Sequence, residues 1–309
     1  MTSAKIFSAK ARAKINLTLH VGQMGGFENL NPPRPHSPDK EALAKMHPLN
    51  SLVVFADIGD DLLARAAGTF SLNIEGAFAD RLGDNDKNLV MKAVNKTSAV
   101  TDIYTKLSYV LSKKLPVSSG IGGGSADAAA ALRLLGYMNN DIEPDIESIL
   151  VEVGADVPVC YLSKTCIMEG VGETLTECPG LGQLFAVLIN PDIAVSTKDV
   201  FDIFDAQYDT QKTTAFSQSN GDGSLLEMAT FGRNDLQAAA IQIAPIIQTV
   251  LDELQAQTDC QLARMSGSGA TCFGIFKTQN AADHAAKTLQ DMHPDWWCVA
   301  TLLGDENEL

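Results

Sequence analysis

The feature that most constrains this sequence is a run of glycines leading directly into an alanine-rich stretch. Four of the five residues from 120 to 124 are glycine, and Ser125-Ala126-Asp127 follow them. Glycine takes positive φ values and lets a ligand approach the backbone, because it has no Cβ atom. We expect a helix to begin here with Ser125 as its capping residue, since serine favours that position and alanine favours a helix. The first turn of a helix presents free N–H groups and a positive partial charge, so this junction predicts a phosphate-binding loop.

Two other phosphate-binding motifs do not fit this run. A P-loop requires Gly-Lys-Ser/Thr after the glycines, and no lysine follows closely. A dinucleotide fingerprint requires a further glycine where Ser125 stands and a buried strand before the run, whereas Lys113–Pro116 is a poor strand end. The remaining alternative is a flexible linker that meets a helix. It is less favoured, because ordering glycines costs more conformational entropy than ordering alanines.

A second pattern lies near the start of the chain. Apolar and polar residues alternate from 13 to 21, which is the period of a half-buried strand. Lys14 and Asn16 share one face of this strand with Thr18 and His20. Such a face is either an ordinary solvated surface or a site that combines a cation with an amide, and the pattern alone leaves both open.

An isolated carboxylate, Asp156, stands in the apolar run Gly154–Cys160, directly after a predicted amphipathic helix at 145–153. One interpretation is a helix cap, with Pro158 near the start of the next helix. The other is a general base, because partial burial raises the affinity of a carboxylate for a proton. The two interpretations are compatible, since a capping aspartate can also face a pocket.

Turn and strand patterns elsewhere give further expectations. Gly267 and Gly269 predict a tight turn before an apolar strand, although a plain hairpin has the same pattern. Periodicity and turn formers also predict a strand at 52–55 that closes at 56–60, one helix from 234 to 254, and a polar loop at 207–223.

The composition limits the partners of this protein. The 309 residues carry a formal charge of −15, which argues against a nucleic-acid surface and against an anionic membrane, although a local pocket can still bind an anion. No apolar run approaches the ~18 residues of a membrane-spanning helix. The six cysteines show no C-x-x-C spacing and indicate free thiols in a reducing compartment. We therefore expect a cytoplasmic protein, and the sequence gives no indication of its oligomeric state.

The segment Pro116–Ala129 resembles the phosphate-binding motif of the GHMP small-molecule kinases. Residues 13–17 (Ala-Lys-Ile-Asn-Leu), 154–158 (Gly-Ala-Asp-Val-Pro) and the glycine turn at 264–271 resemble further motifs of the same family. Any one of these motifs can arise by accident, whereas the set is specific. The resemblance spans nearly the whole chain.

This resemblance implies both a fold and a chemistry. The fold is α+β in two domains: an N-terminal ribosomal-protein-S5-like α/β domain (residues 1–178) and a C-terminal ferredoxin-like α/β domain (179–309). The activity is ATP-dependent phosphorylation of an alcohol, assisted by Mg²⁺. Asp156 is the implied acceptor of the hydroxyl proton, and Lys14 lies beside it and the γ-phosphate. The implied contacts to ATP are made by Pro116, Gly120, Ile121, Gly122, Gly123, Gly124, Ser125, Ala126, Gly267 and Gly269.

The resemblance also implies a small-molecule substrate that carries a cytidyl diphosphate group. Asn16, His47 and Phe201 are its implied contacts, and in the family the histidine and an adjacent aromatic residue contact the cytosine. In this chain Met46 stands where that aromatic residue is expected, and the long loop at 22–45 departs from the family pattern. Without the resemblance, His47 is interpreted as a turn histidine and Phe201 as a core residue.

Two points stay open at the level of sequence. Ser125 and Asp127 are the candidates for coordinating Mg²⁺, although either can simply cap the helix. Another GHMP activity, such as a homoserine, mevalonate or sugar kinase, remains an alternative. So does a nucleotide-binding protein that has lost catalysis, although the presence of both Lys14 and Asp156 argues against it.

Overall fold

The computed structural model describes residues 5–27, 40–82, 88–100, 106–139, 146–207 and 224–305. They belong to two compact units that interleave along the chain. The first unit is drawn from Met1–Ala13, Ile58–Val117 and Gly122–Ser163, and the second from Lys14–Asp57, Ser118–Ile121 and Lys164–Leu309. The boundary expected between residues 178 and 179 concerns the family domains and stays a prediction.

Strands and helices of both units follow one another along the chain. The strands are β1 (Ile6–Asn16), β2 (His20–Val21), β3 (Leu49–Ala66), β4 (Ser71–Glu75), β5 (Leu107–Ser112), β6 (Cys166–Gly170), β7 (Thr174–Glu177), β8 (Leu184–Asn190), β9 (Cys260–Met265), β10 (Cys272–Phe276) and β11 (Trp297–Leu303). The helices are α1 (Lys40–Leu43), α2 (Leu89–Val100), α3 (Gly123–Asn139), α4 (Ile146–Val153), α5 (Val157–Leu162), α6 (Thr197–Gln207), α7 (Leu225–Phe231), α8 (Gln237–Ile243), α9 (Ile246–Gln255) and α10 (Gln279–Met292). A short 3-10 turn covers Ala79–Arg81.

In the first unit, β5 pairs in parallel with β4 and antiparallel with the second half of β3. Leu107, Tyr109 and Leu111 point from β5 into the core, in the alternation of a strand with one buried face. The alanines at 128–131 of α3 are fully buried. Because alanine side chains are small, they allow other helices to approach α3 closely. The glycine-rich loop therefore connects a strand with one buried face, β5, to a largely buried helix, α3.

In the second unit, β8 lies between β10 and β11, and β10 also pairs with β9. The first half of β3 pairs with β2 and β6, and β6 pairs with β7. The amphipathic helices α9 and α10 bury their apolar faces in one hydrophobic cluster with residues of β8 and β10. This antiparallel arrangement holds the turn between β9 and β10, where Gly267 and Gly269 lie.

The strand predicted at 52–55 is longer than the sequence indicated. β3 continues through residues 56–60 as far as Ala66, so the prediction that it closes there was wrong. Gly59 is needed inside this strand because β1 passes close by, and a Cβ atom at Gly59 would collide with the carbonyl oxygen of Ala11. Asp60, the last residue of the segment that was expected to close the strand, is completely buried.

The helix predicted from 234 to 254 is in fact two helices. α8 ends at Ile243 and α9 begins at Ile246, because Pro245 lacks the N–H group that a continuous helix needs. A further helix, α7, begins at a capping box formed by Ser224 and Glu227 and was not predicted. Most of the polar loop predicted at 207–223, and much of the inserted loop at 22–45, lies outside the described residues.

The structure also bears on membrane spans and on the cysteines. Within the described ranges, no helix combines the length and the apolar character needed to cross a membrane. Each of the cysteines is a free thiol, as the absence of a paired spacing predicted.

Candidate active site

In the second unit, Lys14 and Asn16 form a buried polar cluster at the end of β1. Their exposed fractions are only 4% and 1%, so the interpretation as a solvated strand face was wrong. The Lys14 ammonium donates to Asn16 Oδ1 at 3.0 Å, and Asn16 Nδ2 donates to the Ser51 hydroxyl at 2.7 Å. Ser51 in turn donates to the carbonyl of Thr18 at 2.5 Å. Each polar group thus has a partner, as burial requires.

The glycine-rich loop runs from the end of β5 to the start of α3. Its middle part, Ser118–Ile121, lies against the β9–β10 turn in the second unit. The backbone N–H of Lys14 donates to the Ile121 carbonyl at 2.9 Å, and that of Thr271 donates to the Ser119 carbonyl at 3.2 Å. Gly120 has a φ of +76°, and a Cβ atom there would lie 2.5 Å from the Ser266 carbonyl oxygen. Only glycine fits this position, since both its conformation and its contact exclude a side chain.

A single hydroxyl group connects the three sequence motifs of the second unit. Ser266 Oγ accepts the backbone N–H of Asn16 at 3.1 Å and donates to the Gly120 carbonyl at 3.2 Å. Ser266 is completely buried. Ser266 was not among the predicted site residues, although a small polar residue next to a glycine turn is a usable signal.

A buried guanidinium group supports the same region. Arg264 donates from Nη1 to the carbonyls of Leu17 and Ala229, at 2.5 Å and 2.6 Å, and from Nη2 to that of Thr230 at 3.3 Å. Burial lowers the pKa of Arg264 to about 10, so the group stays charged at neutral pH. The positive charge complements the carboxyl end of α7. No sequence pattern indicates this role of Arg264, because it depends on carbonyls that are distant in the chain.

In the first unit, the helix after the glycines begins earlier than predicted. α3 starts at Gly123, so Ser125 lies inside its first turn and is not the capping residue. The chain turns at Gly122, whose φ is +67°, and the Ala126 N–H donates to the Gly122 carbonyl at 2.8 Å. Gly124 is exposed and Ser125 half-buried. The first N–H groups of a helix have no intrahelical partners, which fits them to bind phosphate oxygens.

The remaining loop residues predicted to bind ATP are buried. Pro116, Ile121 and Ala126 lie inside their respective units, and Gly267 and Gly269 are buried in the β9–β10 turn. These five residues therefore shape the backbone of the loop and the turn. Their contacts to ATP stay a prediction.

The two Mg²⁺ candidates differ in what they can offer. Asp127 is 3% exposed, and its Oδ2 accepts from the Lys113 ammonium at 2.8 Å. Burial raises the pKa of Asp127; the Lys113 charge opposes this rise and the Asp60 charge adds to it. Ser125, by contrast, is half-buried on the first turn of α3 and offers a hard oxygen donor. The chemistry of the donors thus favours Ser125. Across the described residues, no group of three or more histidine, cysteine or acidic side chains could hold a metal ion.

Asp156 lies between two helices of the first unit. It occupies the N-cap position of α5, with Pro158 in the first turn, but its side chain makes no capping hydrogen bond. The position of the cap was predicted, whereas the capping bond was not found. Basic side chains fix the carboxyl ends of the helices on both sides, since Lys92 donates to the Val153 carbonyl and Arg133 to that of Cys160, each at 2.8 Å. The half-buried Asp156 carboxylate is thus presented by a segment held at both ends.

The second unit also brings together two residues predicted to bind the substrate. The His47 and Phe201 ring centroids are 4.9 Å apart, and Phe204 approaches the same imidazole edge-on at 5.9 Å. His47 Nδ1 donates to the Gly22 carbonyl at 2.9 Å, and Nε2 lies 3.4 Å from Asp205 Oδ1. Phe204 was missed, although its position three residues after Phe201 on a predicted helix placed it on the same face.

Lys14 belongs to the second unit and Asp156 to the first. Their joint action on one phosphoryl group stays a prediction. Asn16, Gly120, Ile121, Gly267 and Gly269 lie with Lys14 in the second unit.

Two family models match this chain, one for the GHMP kinases N terminal domain at residues 88–164 and one for GHMP kinases C terminal at 216–295. The chain belongs to the GHMP kinase family, which consists of ATP-dependent phosphotransferases with an α+β fold, as the sequence motifs predicted.

Named relatives point to one enzyme in this family. The 4-diphosphocytidyl-2-C-methyl-D-erythritol kinase of Roseobacter denitrificans is 41% identical, over 100% of this chain and 97% of its own length. A protein of the same name from Rhodopseudomonas palustris is 40% identical over 98% of this chain and 96% of its own length. A crystal structure of 4-(cytidine 5'-diphospho)-2C-methyl-D-erythritol kinase matches with a TM-score of 0.76 at 24% identity, covering 97% of this chain and 100% of that one.

Replacing Ser266 with alanine should lower the free energy of unfolding by about 1–3 kcal/mol, because a buried N–H and a buried carbonyl lose their partner. Ser268 provides a matched control, since its hydroxyl makes only a surface contact of 2.8 Å with that of Thr197. S268A should change the free energy by less than about 0.5 kcal/mol. Urea unfolding of both variants measures the difference, and equal losses would contradict the role of Ser266.

Proposed function

We propose that this protein transfers the γ-phosphoryl group of ATP to the 2-hydroxyl of 4-diphosphocytidyl-2-C-methyl-D-erythritol. The reaction belongs to non-mevalonate isoprenoid biosynthesis and takes place in the cytoplasm. The observation that carries the proposal is the full-length similarity, at about 40% identity, to relatives named for this activity. The contact between His47 and Phe201 supports it, because these are the residues expected at the cytosine.

The cytosine-binding part of the proposal rests on the aromatic cluster of His47, Phe201 and Phe204. A base stacks on a partly exposed aromatic ring, and Phe201 is half-buried. His47 Nε2 is buried, and its 3.4 Å contact with Asp205 Oδ1 is not a hydrogen bond within the described part of the chain. This nitrogen is therefore available to a polar group of the base. Met46 is 39% exposed and supplies no ring, so in this chain stacking depends on Phe201.

The phosphate-binding part rests on the glycine-rich loop and the first turn of α3. Backbone N–H groups from Gly120 to Ser125 would hold the ATP phosphates, in the manner of an anion at a helix N-terminus. Bound Mg²⁺ would neutralise phosphate charge, and the Ser125 hydroxyl is the side chain proposed to hold it. Gly120 and Gly267 fix the backbone of the loop through their close contact, so its N–H directions are set before the nucleotide arrives.

The proposed catalytic groups are Asp156 and Lys14. Asp156 would accept the proton of the attacking hydroxyl, and Lys14 would stabilise both the ionised carboxylate and the charge that develops on the phosphoryl group. A unit charge at ~4 Å contributes about 4 kcal/mol at an effective dielectric constant of 20, before desolvation costs. The bond from Lys14 to Asn16 Oδ1 restricts the ammonium to one direction and so supports this role.

Two other functions remain as candidates. A different GHMP kinase would use the same loop but would not need the His47–Phe201 pair. A binding protein without catalysis would have no use for Lys14 and Asp156 together. The presence of all four residues favours the cytidyl kinase over both.

Replacing Phe201 with alanine should raise the KM for the cytidyl substrate about 5- to 150-fold, because stacking on a base contributes about 1–3 kcal/mol. The KM for ATP and kcat should change little. Phe231 is 85% exposed in the same unit and provides the control, so F231A should leave all three constants unchanged. Steady-state kinetics with both substrates varied measures this, and an unchanged cytidyl KM in F201A would remove Phe201 from the base site.

Replacing Asp156 with asparagine should leave ATP binding intact and lower kcat by about 10²–10⁴-fold, since a general base contributes about that much. Glu152 on the neighbouring helix forms an exposed ion pair with Lys96, and E152Q is the matched control with normal turnover expected. Calorimetric ATP titration and ADP release together separate binding from catalysis. Near-normal turnover of D156N would exclude the carboxylate from the mechanism.

A panel of alcohols tests the substrate itself. ADP release is measured with 4-diphosphocytidyl-2-C-methyl-D-erythritol, its uridine analogue, homoserine, mevalonate and galactose. The cytidyl substrate should exceed each of the others by at least about 100-fold in kcat/KM. Preference for another alcohol would replace the substrate assignment, and nucleotide binding without any turnover would favour the non-catalytic alternative.

A further inference from the structure

A buried cluster of three charged residues, Lys113, Asp60 and Asp127, lies in the first unit at the base of the glycine-rich loop. The Lys113 ammonium makes hydrogen-bonded ion pairs with Asp60 Oδ2 and with Asp127 Oδ2, the latter at 2.8 Å. The side chains of Lys113, Asp60 and Asp127 are 2%, 0% and 4% exposed. The cluster joins three elements, because Asp60 is on β3, Lys113 follows β5 and Asp127 is on α3.

The leading end of the loop is fixed by Asp60. Asp60 Oδ1 accepts the backbone N–H groups of Lys114 at 2.6 Å and Leu115 at 2.9 Å. The backbone of Lys113 is held as well, since its N–H donates to the Glu75 carbonyl at 2.7 Å. The chain therefore enters the loop from a position fixed by side-chain and backbone bonds together.

The trailing end of the loop is fixed by Asp127. This residue lies one turn into α3, the helix whose first residue, Gly123, belongs to the glycine run. Its ion pair with Lys113 joins the start of the helix to the residue that opens the loop. One ammonium group thus links both ends of the segment that is expected to bind phosphate.

The cluster is poorly suited to stabilising the fold. Two carboxyl groups share one ammonium, burial raises the pKa of Asp127, and Asp127 Oδ1 is buried with no hydrogen bond in the part of the chain that the structure describes. Removing charges from water costs free energy that a buried ion pair often fails to recover, and apolar residues of similar size are frequently as stable. A fixed geometry is the property that ion pairs with defined donor directions supply and apolar contacts do not.

We propose that Lys113 is a positioning residue, which through Asp60 and Asp127 holds the two ends of the glycine-rich loop at the separation that binds nucleotide phosphates. A loop rich in glycine is costly to order, at about 1–2 kcal/mol per residue, and anchoring both ends reduces the part of that cost that falls on binding. The proposal rests on the use of ATP by this family. It does not depend on which alcohol receives the phosphoryl group.

The test breaks the link between the two ends of the loop and leaves one carboxylate, Asp60, paired with the Lys113 ammonium. D127A removes the trailing link and leaves the Lys113–Asp60 pair, so the variant should fold. The Kd for ADP and the KM for ATP should rise by at least about 10-fold, whereas the KM for the cytidyl substrate should not change. D127N keeps the shape and one acceptor for Lys113, and its ADP affinity should lie between those of the wild type and D127A. This graded variant also serves if D127A fails to fold, and wild-type affinity in D127N would then overturn the proposal.

The neighbouring residue pair provides the control. Lys114 and Asp61 form an ion pair of 2.5 Å between the end of β5 and β3, as Lys113 and Asp60 do. Their side chains, however, are 60% and 42% exposed. K114M should leave ADP affinity unchanged. Hydrogen–deuterium exchange without nucleotide should show faster exchange of the loop amides in D127A than in the wild type and K114M. Lower thermal stability of D127A with normal ADP affinity and normal loop exchange would overturn the proposal, as would equal weakening by K114M.

Measuring ADP binding both with Mg²⁺ and with EDTA distinguishes positioning from metal coordination. Positioning predicts the same fold-loss in both conditions, because the ion pairs do not involve the metal. A loss confined to Mg²⁺ would overturn the proposal and identify Asp127 as a ligand. These measurements need no acceptor substrate, so they stand even if the alcohol panel rejects the proposed substrate.

Discussion

The second unit depends on a backbone contact that only glycine permits. Gly120 and Gly267 lie so close that a Cβ atom on either would meet backbone oxygens of the other segment. The Ser266 hydroxyl, next to Gly267 in the turn, donates to the Gly120 carbonyl and accepts the backbone N–H of Asn16 at the end of β1. A loop, a turn and a strand distant in sequence are thereby fixed together. The directions of the loop amides follow from this contact, and phosphate binding depends on those directions.

Buried cations lie near the predicted motifs, although the net charge of the protein is −15. Lys14 and Arg264 are buried in the second unit and donate to uncharged amide and carbonyl oxygens, whereas the charge of Lys113 is offset by two carboxyl groups in the first unit. Burial strengthens the field of a fixed cation, because little water remains to screen it. Local positive charge at the predicted motifs is therefore compatible with an acidic surface. The overall charge argues against partners such as nucleic acid, but it does not argue against a nucleotide.

Local patterns predicted most elements well, and they failed where contacts between distant residues decide the outcome. The helix after the glycines and the position of Asp156 follow from periodicity and turn chemistry. The expectation that no buried strand precedes the glycines was wrong, because β5 ends at Ser112, just before the residues Lys113–Pro116 on which that expectation rested. The length of β3 was missed because Gly59 is a strand breaker in general but serves here as a crossing point with β1. The start of α3 was placed too late, since Ser125 has capping propensity although the helix begins at Gly123.

For the candidate site, the sequence by itself determined the kinds of residue present: a glycine-rich loop, a lysine–asparagine strand, an isolated aspartate and a histidine with a phenylalanine. The set of motifs was sufficient to indicate the family by resemblance, and the family models match the same chain. Only the tertiary structure decided which of them meet, as His47 does with Phe201. It also revealed Ser266, Arg264 and the Lys113 cluster, whose partners are backbone carbonyls, amides and carboxylates far away in the chain. Such contacts leave no periodic signal, since hydrogen bonds across the fold depend on where the chain returns and not on local composition.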